Sequence, residues 1–246
     1  MKQFRFLATL LATSMSLFLL SCGSGDNEKK ADEKTKDTSQ VKPAETTPAT
    51  TAPAKPADLM VIQHKVANYA KWKPFYDGHD SARKANGLSN YVIARGIDDS
   101  NMVLIALKMS DIDKAKAMGG SQELKDRMKK AGVIGAPTIS YVEEVMQDTT
   151  TIPQAARVRV THKVKDWDAW KKEFDDHKQA RMDAGLIDRV VGHSIGDNHM
   201  VTLVFAITDM AKAKAFMKSK DLKDKMAKAG VEGPPTFFFY NIVEKY

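Results

Sequence analysis

The run Gln63 to His79, QHKVANYAKWKPFYDGH, returns 98 residues later as Thr161 to His177, THKVKDWDAWKKEFDDH. His-Lys-Val, a Trp and a closing His keep the same spacing in both. The shift aligns the two copies without a gap from Met60/Val158 to Thr138/Thr236, and about two aligned positions in five are identical, too many for chance. Matches fall on punctuation as well as on apolar positions, among them Gly87/Gly185, Asp111/Asp209, Ser121/Ser219, Gly132/Gly230 and Pro137/Pro235. The chain is one unit written twice, so the unit's own pattern sets the fold.

Each copy reads the same way. Met60 to Val66 is a strand, with Met60, Ile62, His64 and Val66 on one face by period two. Asn68, or Asp166 in the second copy, caps a helix running to about Asn86 and stopping at Gly87, where a left-handed residue suits the helix end. Pro74 falls early in that helix, but the second copy has Lys172 there, so the proline is not required. Tyr91 to Ile97 and Met102 to Met109 flank a turn and form a hairpin. Asp111 and Ser121 open two short helices, Gly132 ends the second, and Thr138 to Val145 is the last strand. The order β-α-β-β-α-β is a ferredoxin-like split unit. Such a unit covers one sheet face with helices, yet Val103 to Leu107 and Phe237 to Tyr240 are apolar on both sides. Strands of that kind are buried on both faces, so each copy must cover the other. The expected class is α+β, two tandem ferredoxin-like repeats packed sheet to sheet.

The chain's start reads differently. Lys2 and Arg5 precede an apolar run from Phe6 to Leu20, followed by Leu19-Leu20-Ser21-Cys22-Gly23. A run of about 15 apolar residues is short for a membrane span and suits a secretory signal. Its tail resembles a bacterial lipobox, which is cleaved before the Cys and acylated on it; an ordinary signal followed by a free Cys is the alternative. The lipoprotein resemblance implies a stable lipid anchor on Cys22, in the cell membrane or outer membrane, with the globular part outside the cytoplasm. Gly23 to Ala57, including TTPATTAPAKP at 46–56, has hardly a large apolar residue and reads as a tether. The expected divisions are a signal at 1–21, lipidated Cys and tether at 22–57, a first repeat at 58–148 and a second at 149–246.

Composition removes several function classes. Cys22 is the only cysteine, so there is no internal disulfide and no Cys-based metal site. The formal net charge of +7 falls to about +5 once Lys2 and Arg5 are cleaved away. Acidic and basic residues alternate on the helices without a dense basic cluster, so no nucleic-acid partner is expected. No His-x-His, His-x-x-x-His or Cys-x-x-Cys-His sequence occurs; no metal or cofactor is expected, although convergent metal ligation and haem are the alternatives.

His-x-Val, Trp-Lys, Phe-Asp-x-His and Arg, with the closing Ala-Gly-Val-x-Gly-Pro-Pro, resemble dimeric α+β barrel proteins of the antibiotic-biosynthesis-monooxygenase-like kind. The likeness covers nearly all of 58–246 and implies a fused pseudo-dimer, hence a monomer. It carries over no catalytic motif.

Four polar or semi-polar positions, His64, Trp72, His79 and Arg83, recur in the interior pattern with an aromatic position, Tyr76/Phe174, beside them. His64/His162 lie on the strand. Trp72/Trp170, Tyr76/Phe174, His79/His177 and Arg83/Arg181 lie on the first helix, the last three at spacings of three and four that share a stripe. The expected arrangement is a pocket between this helix and the sheet in each repeat. Trp72, Tyr76, Trp170 and Phe174 would wall it, and Arg83 and Arg181 would hold a ligand's negative end. His64, His79, His162 and His177 are the candidate proton-transfer groups. Binding of a small, partly apolar molecule is the first functional reading. A cofactor-independent oxygenase or isomerase is the second, and a non-catalytic structural or interaction module the third.

Overall fold

The computed structural model describes residues 55–246. The signal at 1–21, lipidation at Cys22 and nearly all of the tether lie outside them. The first repeat runs β1 (Leu59–Val66), α1 (Tyr69–Asp77), α2 (Asp80–Ala85), β2 (Leu88–Gly96), β3 (Met102–Met109), α3 (Ile112–Gly120), α4 (Gln122–Lys130) and β4 (Val133–Gln147). The second follows as β5 (Ala156–Val164), α5 (Trp167–Asp176), α6 (Lys178–Asp183), β6 (Leu186–Ser194), β7 (Asp197–Ile207), α7 (Met210–Met217), α8 (Lys220–Lys228) and β8 (Val231–Lys245).

All eight strands join one closed antiparallel barrel in the order β1-β3-β2-β8-β5-β7-β6-β4. Closure depends on the two 15-residue strands, β4 and β8. The first part of β4 pairs with β1 of its own repeat, from Val133 to Val142, and the last part, from Val142 to Gln147, pairs with β6 of the other. β8 does the same with β5 and then β2. The sequence places these last strands at Thr138–Val145 and its equivalent. They are longer because Gly135 and Gly233, at φ +73° and +70°, let the strand deform without ending.

Strand periodicity separates two environments. Met60, Ile62, Val103, Ile105 and Leu107 face the helices of the first repeat, and Val158, Val160, Leu203 and Phe205 those of the second. The alternate residues Leu59, Val61, Leu104, Ala106, Val142 and Tyr240 pack together inside the barrel. This is the two-sided burial that the apolar strands call for. Asn68, Asp111, Ser121, Asp166, Asp209 and Ser219 all cap helices as their spacing requires, each accepting a bond from the backbone N–H three residues on. Gly87 takes φ +69° behind α2, and an added Cβ would lie 2.8 Å from Ser110 Oγ.

The long first helix of each repeat is in fact two helices, broken at Gly78-His79 and at His177. Pro74 is not the cause, since the second repeat breaks at the equivalent place with Lys172. The break has a side-chain partner: Arg83 Nη1 donates to Tyr76 O at 2.7 Å, and Arg181 Nη1 donates to Phe174 O. Each arginine takes a carbonyl that a continuous helix would offer to the N–H four residues on.

Candidate functional site

The residues singled out by their recurrence stand as a column in each repeat. In the first, His64 meets Trp72 edge to face with ring centroids 5.7 Å apart, and Trp72 stacks on Tyr76 at 5.1 Å. The Arg83 guanidinium lies 3.9 Å over the Tyr76 ring. In the second, His162, Trp170, Phe174 and Arg181 repeat the order at 5.5, 5.1 and 3.6 Å. Stacked aromatics and a cation over a ring are each favourable. His79 and His177 stand where the helix breaks, half-buried and outside the column.

Each column walls a cavity between the first helices and the sheet. The first-repeat cavity has a volume of about 450 Å³ and is lined by His64, Trp72, Tyr76, His79 and Arg83. The second, lined by their counterparts, measures about 80 Å³. Three substitutions at equivalent positions account for the difference. Leu107, Met118 and Ile139 become Phe205, Phe216 and Phe237, and all three phenylalanines line the small cavity. The linings differ as well. Phe75, 56 % exposed, lines the first cavity; its counterpart Glu173 lines the second and forms a 2.7 Å ion pair with Lys228. His177 pairs with Asp221 at 3.3 Å, whereas the equivalent Glu123 pairs with Arg127 at 3.0 Å, leaving His79 aside.

The arginines differ in their partners. Arg181 holds Asp188 through Nε (2.9 Å) and Nη2 (2.7 Å), a two-pronged pair buried between α6 and β6. Asn90 replaces that carboxylate in the first repeat. Arg83 Nη2 reaches Asp80 at 3.4 Å, and its buried Nε has no protein partner. Asn90 is used elsewhere: it accepts from Tyr76 Oη at 2.7 Å and donates to Asp80 at 2.9 Å. Tyr76, Asp80 and Asn90 are thus a linked replacement for Phe174, Lys178 and Asp188.

The strand histidines are the least satisfied groups. His64 is 3 % exposed, and neither ring nitrogen has a hydrogen-bond partner in the protein; the same holds for His162. Burial pushes both down to about 4, so each imidazole is uncharged at neutral pH. Such a group hydrogen-bonds well but is a weak base at pH 7. Burial lowers His79 too, helped by Arg127 and Arg83.

No family model and no curated protein matches the sequence. Solved structures do. An anthrone oxidase-like protein superposes with a TM-score of 0.53 at 12 % identity over 77 % of this chain and 92 % of its own. A candidate chlorite dismutase gives 0.51 at 14 %, over 77 % and 96 %. A candidate monooxygenase from Fusobacterium nucleatum gives 0.50 at 13 %, over 78 % and 94 %. This chain folds as a dimeric α+β barrel. Both halves of the barrel lie in one polypeptide, in agreement with the resemblance carried by the repeats. At these identities the likeness concerns the fold and not the chemistry.

The barrel interior holds polar groups that the sequence reading passed over. Glu144 is 1 % exposed; it accepts from Gln147 at 2.7 Å, and burial pushes its carboxyl up to about 7. Arg159 reaches across to Ser140 Oγ at 3.0 Å, and Arg157 donates to Gln154 O and Ala156 O. A signal was available: Arg157 and Arg159 alternate with Val158 and Val160, and their counterparts are Leu59 and Val61. Among the described residues, no group of three or more His, Cys, Asp or Glu is placed to hold a metal ion, and no helix is long and apolar enough to cross a membrane.

Proposed function

We propose that the first repeat is a binding site for a small, partly apolar molecule and that the second is its structural complement. The observation carrying this reading is the pair of unequal cavities, about 450 against 80 Å³, behind the same four-member column. A cavity of several hundred Å³ with apolar walls and few polar groups is of the size and kind that holds small ligands. The catalytic alternative needs a base, and burial makes the imidazole best placed for it a weak one by pushing it down to about 4, which favours binding over proton abstraction.

The test converts the first cavity into the second. Leu107→Phe, Met118→Phe and Ile139→Phe together reproduce packing that the chain already tolerates 98 residues later. Native mass spectrometry of the purified chain should show a small-molecule adduct, and the triple variant should lose it while unfolding within about 1–2 kcal/mol of the parent. An adduct retained at full occupancy in the triple variant would sink the assignment to this cavity.

In the same reading the barrel is held at a membrane of the cell envelope, outside the cytoplasm, through a lipid on Cys22. Cys22→Ala should move the protein from the membrane to the soluble fraction and abolish incorporation of labelled fatty acid. Unchanged partition and labelling would remove the anchor from the proposal.

A further inference from the structure

The first helices of the two repeats are tied on different sides. α1 and α4 both wall the large cavity, through Trp72, Phe75 and Tyr76 on one and Leu124, Met128 and Lys130 on the other. We propose that Glu244 is a brace holding α1 off α4, and that α1 has a second position, tied to α4 as α5 is tied to α8, in which the first cavity is narrowed.

On α1 the helical period sets Tyr69 and Lys73 on one flank and Phe75 on the other, with Trp72 and Tyr76 between them on the core side. Tyr69 and Lys73 meet Glu244, which lies on the end of β8 that crosses from the second repeat to pair with β2. Tyr69 Oη donates to Glu244 Oε1 at 3.3 Å, and Lys73 Nζ pairs with Oε2 at 3.0 Å. Tyr246 adds a third bond, donating Oη to Oε2 at 2.8 Å while its own N–H bonds Tyr91 O at 3.1 Å. On the other flank Glu123 and Arg127 of α4 pair with each other. Among the described residues no hydrogen bond or ion pair joins α1 or α2 to α4.

The second repeat reverses this. Met146 stands in place of Glu244, and Lys171, in place of Lys73, pairs within its own helix with Asp175. Glu173 and His177 instead reach across to Lys228 and Asp221 of α8, at 2.7 and 3.3 Å. The three phenylalanines fill that cavity, and these ties hold its walls around them. The means of movement are present in α1. Pro74 has no N–H to give to Ala70 O, and Gly78 stands at the break where the second repeat has Asp176. Tyr76 Oη bonds Asn90 at 2.7 Å and fixes the end nearest the break as a pivot. Apolar walls set around about 450 Å³ forgo contacts that they would regain by closing, so a helix held off needs a brace.

Cysteine labelling measures access to the cavity without any ligand, because the full chain carrying Cys22→Ala has no other cysteine. Met128→Cys reports on the first cavity and Met226→Cys, at the equivalent place, on the second. Rates of modification by N-ethylmaleimide are compared after any adduct has been dialysed away. Glu244→Gln should slow modification at 128 about ten-fold, the weight of one hydrogen bond to a charged group in a two-position equilibrium, and leave that at 226 unchanged. Phe75→Glu, which gives Lys130 the partner that Lys228 has, should slow modification at 128 with Glu244 still in place. An unchanged or faster rate at 128 in either variant, or an equal slowing at 226, overturns the proposal. The binding reading is judged by the adduct experiment above and stands or falls apart from these outcomes.

Discussion

Asp188→Ala should destabilise the barrel by about 3–5 kcal/mol, among the largest effects of any single substitution in the second repeat. The carboxylate gives Arg181 two of its three hydrogen bonds, and both side chains are nearly or wholly out of water. Removing it strands a guanidinium that the Phe174 carbonyl and the ring beneath it cannot neutralise. Asn90→Ala, at the equivalent position, removes only neutral-group bonds to Tyr76 and Asp80 and should cost about 1 kcal/mol. Urea unfolding of the two variants measures the difference. Arg181→Met combined with Asp188→Leu should recover most of the loss, because a buried pair replaced by apolar groups of similar size is often neutral. An Asp188→Ala cost below that of Asn90→Ala would show that the pair contributes nothing beyond its desolvation.

Acid is the second strong perturbation. The imidazoles of His64 and His162 titrate near 4 in the folded chain and near 6.5 when exposed. Between those values the unfolded chain binds more protons, so stability present above pH 6.5 is lost as the pH falls toward 4, by roughly 3 kcal/mol for each ring. Glu144 acts the other way. Its folded carboxyl titrates near 7 against 4.5 unfolded, so acidification through that window relieves a cost of similar size to one ring's. Two rings outweigh one carboxyl, and the protein should lose stability from pH 7 to 4. In the double variant His64→Leu, His162→Leu the Glu144 contribution stands without them, and the melting temperature over this window should hold or rise relative to the parent. Parallel curves for parent and variant would mean that the imidazoles are not what acid attacks.

Much of the fold could be read from the chain because its signals were redundant. The repeat supplied every element twice, the caps at Asp111 and Ser121 recurred at Asp209 and Ser219, and the two-sided apolar strands demanded a partner. The helix break could not be read. Tyr76, His79 and Arg83 fit an unbroken stripe, and nothing in that spacing says that a guanidinium will take a main-chain carbonyl as well as a side-chain partner. For the site, recurrence picked out the column but hid the asymmetry. Only Tyr76 against Phe174 differs within the stripe; the residues that decide cavity size, Leu107, Met118 and Ile139, sit on other elements and become neighbours only after folding. Glu144 was passed over because it follows Glu143 in what looks like a solvated pair.

The exchanged ends of β4 and β8 have an evolutionary consequence. In a barrel made from two identical chains, every substitution is imposed at two places related by the symmetry axis, so a buried Glu144 would be met by a second one and a filled cavity would mean two filled cavities. Here the halves are joined and each codon is read once. Glu144 can stand opposite an isoleucine at 242, Arg159 opposite a valine at 61, and one copy can take phenylalanines while the other keeps its space. Carried in one chain, each half is free to specialise, and the mutual strand exchange holds the differing halves together.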